Sequence, residues 1–264
     1  MPPSIDHSMN ARQTDSALTI LTYHSVDESA SVLSVSPACF AEHMAWLADA
    51  GISVLSLREA VSYRDTTGGW PPRSVVLTFD DGYRSVYQQA LPVLSRYGFH
   101  ATVFLVTAHV DGRNDWESPP PRFGSQPLLT WDQIAALAAA AVEIGSHTRA
   151  HSDLRRLSPR HIEEELRGSR RDIEQRVACA VDSFAYPYGH ASEDAIAVVR
   201  REFRCACTTV LRRATAEPLH VLPRIDAYYL RSPQMLKRLV DGRLDPYVAF
   251  RRWGRSVKAL LSGS

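Results

Sequence analysis

The stretch Val75-Val76-Leu77-Thr78-Phe79-Asp80-Asp81-Gly82-Tyr83 constrains this chain more than any other. A run of β-forming residues ends in two adjacent carboxylates and a glycine. The pattern predicts a buried strand that delivers acids at its C-terminal end, with Gly82 turning the chain sharply away. In α/β folds, ligands gather at that end of the strands. Two carboxylates buried side by side there are costly unless a cation joins them.

Around this strand the periodicity alternates. Buried strands are expected at residues 17–24 (ending in Tyr23 and His24), 52–57, 74–80, 101–106, 142–147, 183–188, 205–210 and 219–225. Helices are expected at 37–50, 58–63, 86–97, 130–141, 159–178, 192–203 and 232–241. Thr130 with Gln133 reads as a capping box, and Ser192 and Ser232 as N-caps, with Pro233 at the first helical position. Residues 66–72 and the Pro-, Gly- and charge-rich stretch 111–127 read as loops. One strand and one helix per 25–40 residues argue for an α/β fold with a mostly parallel sheet or barrel. No internal repeat or composition break separates a second domain. The expected organisation is a flexible tail at 1–16, one domain at 17–245, and a basic amphipathic tail at 246–264 with no acidic residue. In that tail Phe250, Trp253, Val257, Leu260 and Leu261 share a helical face among Arg251, Arg252, Arg255 and Lys258. It reads as a terminal helix docked on the fold, or as a peripheral contact with an anionic membrane or lipid-linked substrate.

Composition excludes several classes. The formal net charge is +1 over 264 residues, so no global field favours nucleic acid. No apolar run is long enough to span a bilayer, and the first residues lack a secretory signal pattern. Cys39, Cys179, Cys205 and Cys207 form no zinc-ribbon spacing. Cys205 and Cys207 read as small apolar residues on one strand face. Reduced cysteines without a signal favour the cytoplasm.

Two further motifs carry chemistry. In Gly145-Ser146-His147-Thr148-Arg149-Ala150-His151, two histidines lie four apart, the first at a strand end. Such a pair alone is a weak metal signal. Joined to a carboxylate it makes a catalytic set that leaves positions open for water and substrate. Neighbours on an extended segment point in opposite directions, so one ion would take one of Asp80 and Asp81. The other stays free as a base toward a water whose pKa the metal lowers from about 15.7 toward neutrality. Phe184-Ala185-Tyr186-Pro187-Tyr188-Gly189 reads as a strand entering a turn. The turn either simply ends the strand or directs the Tyr188 N–H into the site as an oxyanion donor.

Together, Thr78-Phe79-Asp80-Asp81-Gly82, His147-Thr148-x-x-His151 and Tyr186-Pro187-Tyr188-Gly189 resemble the polysaccharide deacetylases, carbohydrate esterase family 4, with the NodB homology domain. The resemblance runs from about residue 17 to 226. It implies a distorted (β/α)7 barrel that hydrolyses N-acetyl, less often O-acetyl, groups of a sugar. It implies Asp81, His147 and His151 as ligands of one divalent metal, zinc before cobalt or nickel. Asp80 would be the base, and the Tyr188 N–H an oxyanion donor. Two departures stand out. Many members carry an arginine where this chain has Ala185, and Arg224 is the natural substitute to orient Asp80. No histidine follows His220 to serve as the usual C-terminal acid. Tyr23-His24 is similar to the start of the poly-N-acetylglucosamine deacetylase branch, so His24 is the expected acid, Asp226 its partner, and His220 the reserve. The implied partner is an N-acetylated glycan or lipid-linked sugar. The rival readings are a deformylase or amidase acting on a lipid-linked amino sugar or small cyclic amide, and an inactive carbohydrate-binding member of the fold.

Overall fold

The computed structural model describes residues 17–116, 123–230, 232–251 and 253. The expected tail 1–16 and residues 254–264 of the C-terminal tail lie outside the described residues. The elements run β1 (Thr19–Tyr23), the short paired strands β2 (Ser25–Val26) and β3 (Ser34–Val35), α1 (Pro37–Asp49), β4 (Ser53–Leu55), α2 (Leu57–Thr67) and β5 (Ser74–Phe79). A π-helical turn (Val86–Ala90) then leads into α3 (Leu91–Tyr97), and β6 (Thr102–Leu105), α4 (Trp131–Ala139), β7 (Glu143–Ser146) and α5 (Pro159–Val177) follow. β8 (Ser183–Ala185), α6 (Glu193–Glu202), β9 (Cys205–Leu211), β10 (Leu222–Asp226) and α7 (Pro233–Val240) complete the described elements.

The expected (β/α)7 barrel is present. β1, β10, β9, β8, β7, β6 and β5 pair in parallel in that order, and β1 pairs with β5 to close the ring. The distortion has a specific origin. β4 pairs with the first half of β5, at Ser74, Val75 and Val76, and β6 pairs with the second half, at Thr78 and Phe79. Two strands thus share one edge of β5.

Period-two alternation divides the side chains. Val75, Leu77 and Phe79 face outward to the helices, while Val76 joins Ile20, Phe104, Ala185, Cys205, Cys207 and Leu222 inside the ring. The two cysteines therefore fill barrel core, as expected, and all four are free thiols. Leu57, Ala60 and Val61 of α2 and Trp70 belong to this inner cluster. Outside, α1 buries Phe40, Met44 and Leu47, and α5 buries Ile162, Leu166 and Ile173.

Several boundaries move for local reasons. α2 runs a turn beyond the expected 58–63, because Ser56 and Glu59 form a capping box and Gly68 ends it in the left-handed conformation. β8 stops at Ala185, where Pro187 begins a 3-10 turn, and residues 219–221 form another before β10. Pro92, without an N–H, follows the π-wound turn that the sequence read as plain helix. Ser232 makes no side-chain cap hydrogen bond, whereas Ser192 and Thr130 do. Among the described residues no helix is long and apolar enough to cross a membrane.

Candidate active site

The parallel register lifts the chemistry to one mouth of the barrel. Thr22 of β1 is level with Thr78 on one side and Asp226 on the other. Asp80 and His24 stand one step above that layer, with His24 Nε2 4.0 Å from Asp80 Oδ2. Leu222, Arg224 and Asp226 share one face of β10, which brings Arg224 beneath Asp80.

Arg224 is 1% exposed and grips Asp80 with a two-pronged fork, Nη1 to Oδ1 and Nη2 to Oδ2, each 2.7 Å. Its remaining donors reach the Thr208 carbonyl and the Thr78 hydroxyl, both at 3.0 Å. Burial works to raise the Asp80 pKa, but the guanidinium outweighs it, with help from His147, and holds the carboxyl below the ordinary value. Ala185, at the position where an arginine was looked for, packs in the inner core and offers only its carbonyl.

Asp81 leaves the strand geometry altogether. Its φ is 70°, followed by Gly82 at 73°. On an extended segment the two acids would simply point in opposite directions. In the structure a left-handed residue swings Asp81 across the mouth, while Asp80 keeps the strand's inward direction. Asp81 Oδ1 lies 3.4 Å from His147 Nε2 and 3.3 Å from His151 Nε2. His147 Nδ1 donates to the Ala185 carbonyl at 2.7 Å, which directs Nε2 at Asp81. His151 Nδ1 is 3.2 Å from the Tyr188 hydroxyl.

Asp81, His147 and His151 are buried, with ligand atoms within 4.8 Å of one another. One carboxylate oxygen and two imidazole nitrogens, one ring fixed by a carbonyl, are a donor set that suits zinc and related ions and leaves coordination positions open. Burial presses up on the Asp81 pKa, yet the two histidines hold it well below the carboxylate range. The histidines divide. Burial opposes charge on both, but Asp81 and Asp80 raise the pKa of His147, whereas at His151 burial wins and lowers it. The local backbone is strained to match. Thr148, His151 and Tyr188, like Asp81, have positive φ values of 67°, 56° and 59°.

Tyr188 sits in the 3-10 turn after β8, its ring edge-on to His151 at 4.7 Å between centroids. On the other side Trp116 stacks on His151 at 4.8 Å and meets His109 edge-on. The sequence marks 111–127 as a loop, but its periodicity and motifs do not single out Trp116. A tryptophan in a loop otherwise rich in glycine, proline and charge was the available signal. Asp226 Oδ1 accepts the Tyr228 N–H at 2.9 Å, at the same rim as His24. His220 stands apart. It precedes β10 and turns toward α6, its Nε2 3.1 Å from the Phe203 carbonyl. That placement removes it from the mouth where the reserve acid was sought.

Residues 67–202 match the polysaccharide deacetylase family. The chain is 31% identical over 179 residues to YxkH of Bacillus subtilis, covering 68% of this chain and 59% of that protein. It is 27% identical over 177 residues to the poly-beta-1,6-N-acetyl-D-glucosamine N-deacetylase of Staphylococcus aureus, covering 64% and 58%. The chain thus spans under two thirds of the length of these curated relatives. Among solved structures, the deacetylase PplD of Streptococcus pyogenes in complex with acetate superposes with a TM-score of 0.75 at 25% identity, over 85% of this chain and 98% of that one.

Proposed function

The chain belongs to the polysaccharide deacetylase family, and from that premise we propose that it is a metal-dependent hydrolase that removes N-acetyl groups from a glycan or glycoconjugate and releases acetate. The observation that carries this reading is the pairing at the mouth. Asp81 is grouped with two histidines, and its neighbour Asp80 is held apart by an arginine fork.

In this reading a divalent ion held by Asp81, His147 and His151, zinc before cobalt or nickel, supplies Lewis acidity, making water more acidic and a carbonyl more electrophilic. Asp80, aimed by Arg224, takes a proton from the attacking water. The Tyr188 N–H donates to the carbonyl oxygen as negative charge gathers there. His24, at the same rim, gives a proton to the departing nitrogen, with Asp226 as its partner. Water is added across the C–N bond, leaving acetate and a free amine. The Trp116 ring beside His151 walls the site on the side of loop 111–127.

The test is acetate release from a panel of N-acetylated oligosaccharides. We expect turnover after loading with zinc, cobalt or nickel and none after chelation. His24→Ala should lose about 10²–10⁴ in rate. Activity indifferent to chelator, or His24→Ala at full rate, would overturn the corresponding assignment. One observation favours a lipid-linked sugar as the glycoconjugate. Phe250 and Trp253 are each 65% exposed beside Arg251, a surface suited to an anionic membrane. Faster hydrolysis of the lipid-linked form than of the free oligosaccharide would support that choice.

A further inference from the structure

Gly168 lies in the middle of α5, a helix of 19 residues, where glycine is a poor helix former. Its reason is a neighbour. A β-carbon at that position would come within 2.3 Å of Arg149 Cδ and 3.2 Å of Arg149 Nε. Arg149 belongs to the segment that joins the two site histidines, and the glycine makes room for its side chain to cross the helix toward Asp172.

The same helical face holds the segment at three more points. Glu165 Oε2 accepts the backbone N–H of Arg149 at 2.9 Å and that of Ala150 at 3.0 Å. Asp172 Oδ2 accepts Arg149 Nε at 2.9 Å and the Thr107 hydroxyl at 2.7 Å. Ser169 Oγ is 2.6 Å from Oγ of Ser146, the residue immediately before His147. Positions 165, 168, 169 and 172 recur at three and four residues and so lie on one face. This polar line runs beside the buried stripe of Ile162, Leu166 and Ile173 and joins it at Ser169, which α5 also buries.

The held segment would not keep its shape unaided. Thr148 and His151 both occupy the left-handed region, which is unfavourable for residues with a β-carbon. Charge-assisted bonds from two consecutive N–H groups to one carboxylate oxygen are strong and directional anchors.

We infer that this face of α5 is a preformed cradle that sets His147 and His151 in ligating geometry, with Glu165 as its central positioning residue. The inference rests on the metal assignment proposed above. Ordering the two imidazoles in advance reduces the entropy lost on binding an ion. Outer partners of metal ligands typically contribute about 10–100-fold in affinity.

The experiment compares Glu165→Ala, Glu165→Gln and Gly168→Ala in the full chain, the last also in an Arg149→Ala background. Zinc affinity is read by competition with a chromogenic chelator. Amide hydrogen exchange over residues 147–151 is read in the metal-free protein. Glu165→Ala should weaken zinc binding by about 10–100-fold and accelerate exchange at Arg149 and Ala150. Glu165→Gln keeps an acceptor oxygen and should retain most of both properties. Gly168→Ala should weaken zinc binding when Arg149 is present. Beside Arg149→Ala it should leave affinity unchanged and raise the melting temperature, because alanine is the better helix former. Unchanged affinity and exchange in Glu165→Ala would overturn the cradle, as would equal effects of Gly168→Ala in the two backgrounds. If the wild-type chain took up no zinc, cobalt or nickel, the metal assignment would fall, and the exchange comparison would decide the cradle alone.

Discussion

The two ends of the barrel bury acids in opposite settings. At the mouth, Asp80 is 3% exposed and gripped by the Arg224 fork. At the other end, where β7 begins, Glu143 is 7% exposed, and its Oε2 accepts the Arg58 backbone N–H and the Thr102 hydroxyl, each at 2.8 Å. Burial presses both pKa values up. It is outweighed at Asp80, whose pKa lies below the ordinary value, and it prevails at Glu143, whose pKa is raised. The difference is the cation. Arg224 is as desolvated as the acid it holds. The Arg58 side chain is 37% exposed, with Nε 3.9 Å from Glu143 Oε1. A buried guanidinium facing a buried carboxylate outweighs the cost of burial, whereas hydrogen bonds from neutral donors and a half-exposed guanidinium leave burial the larger influence.

The sharpest way to break this contrast is at Asp80 itself. Asp80→Asn should lower acetate release by about 10²–10⁴ while the far-ultraviolet circular dichroism stays native. A variant near wild-type rate would remove the base assignment. Next in size is Arg224→Ala, which leaves Asp80 buried and unpaired. Urea unfolding should show a loss of about 3–5 kcal/mol, and combining it with Asp80→Asn should return part of that loss. A cost near zero would mean that the fork does not hold the acid's charge.

The pH dependence should separate the two ends by sign. The lowered pKa of Asp80 contributes stability that is present above its unfolded value and is lost as pH falls through the folded one. For Glu143 the folded state binds its proton more tightly than the unfolded chain does. Its contribution is therefore present below the unfolded value and is lost as pH rises through the folded one. Glu143→Gln, which cannot ionise, should gain on the wild type as pH is raised from 5 to about 8, by urea unfolding. A gain on lowering the pH instead would reverse the assignment at this end. The smallest expected effect is Glu143→Gln at pH 5. An amide oxygen can still accept both hydrogen bonds there, so the difference should stay within about 1 kcal/mol.

Much of this was legible in the residues. The alternation of apolar strands and amphipathic helices specified an α/β fold with a mostly parallel sheet or barrel, because each element has one face or stripe that must be buried, and the resemblance carried by the motifs implied the (β/α)7 barrel. The strand-to-turn motifs located Asp80, Asp81, His147 and Tyr188, because glycine and proline mark where the chain must leave a strand. The cradle and the Trp116 wall were not legible in this way. Gly168 is conspicuous in a helix, but only the path of Arg149 explains it, and that residue is 19 positions away in sequence.

The sequence by itself determined the inventory at the mouth: two acids, two histidines, a proline- and glycine-bounded tyrosine and a histidine at the end of the first strand. Those identities follow from local pattern. The tertiary structure decided how they share the work. Closure of β1 against β5 put His24 beside Asp80, and the β1–β10 register put Arg224 beneath it. The left-handed turn at Asp81 gave the second acid to the histidines. Charge at a buried acid depends on which cation is desolvated with it. That partner arrives from a strand more than a hundred residues away, so only the closed barrel could supply it.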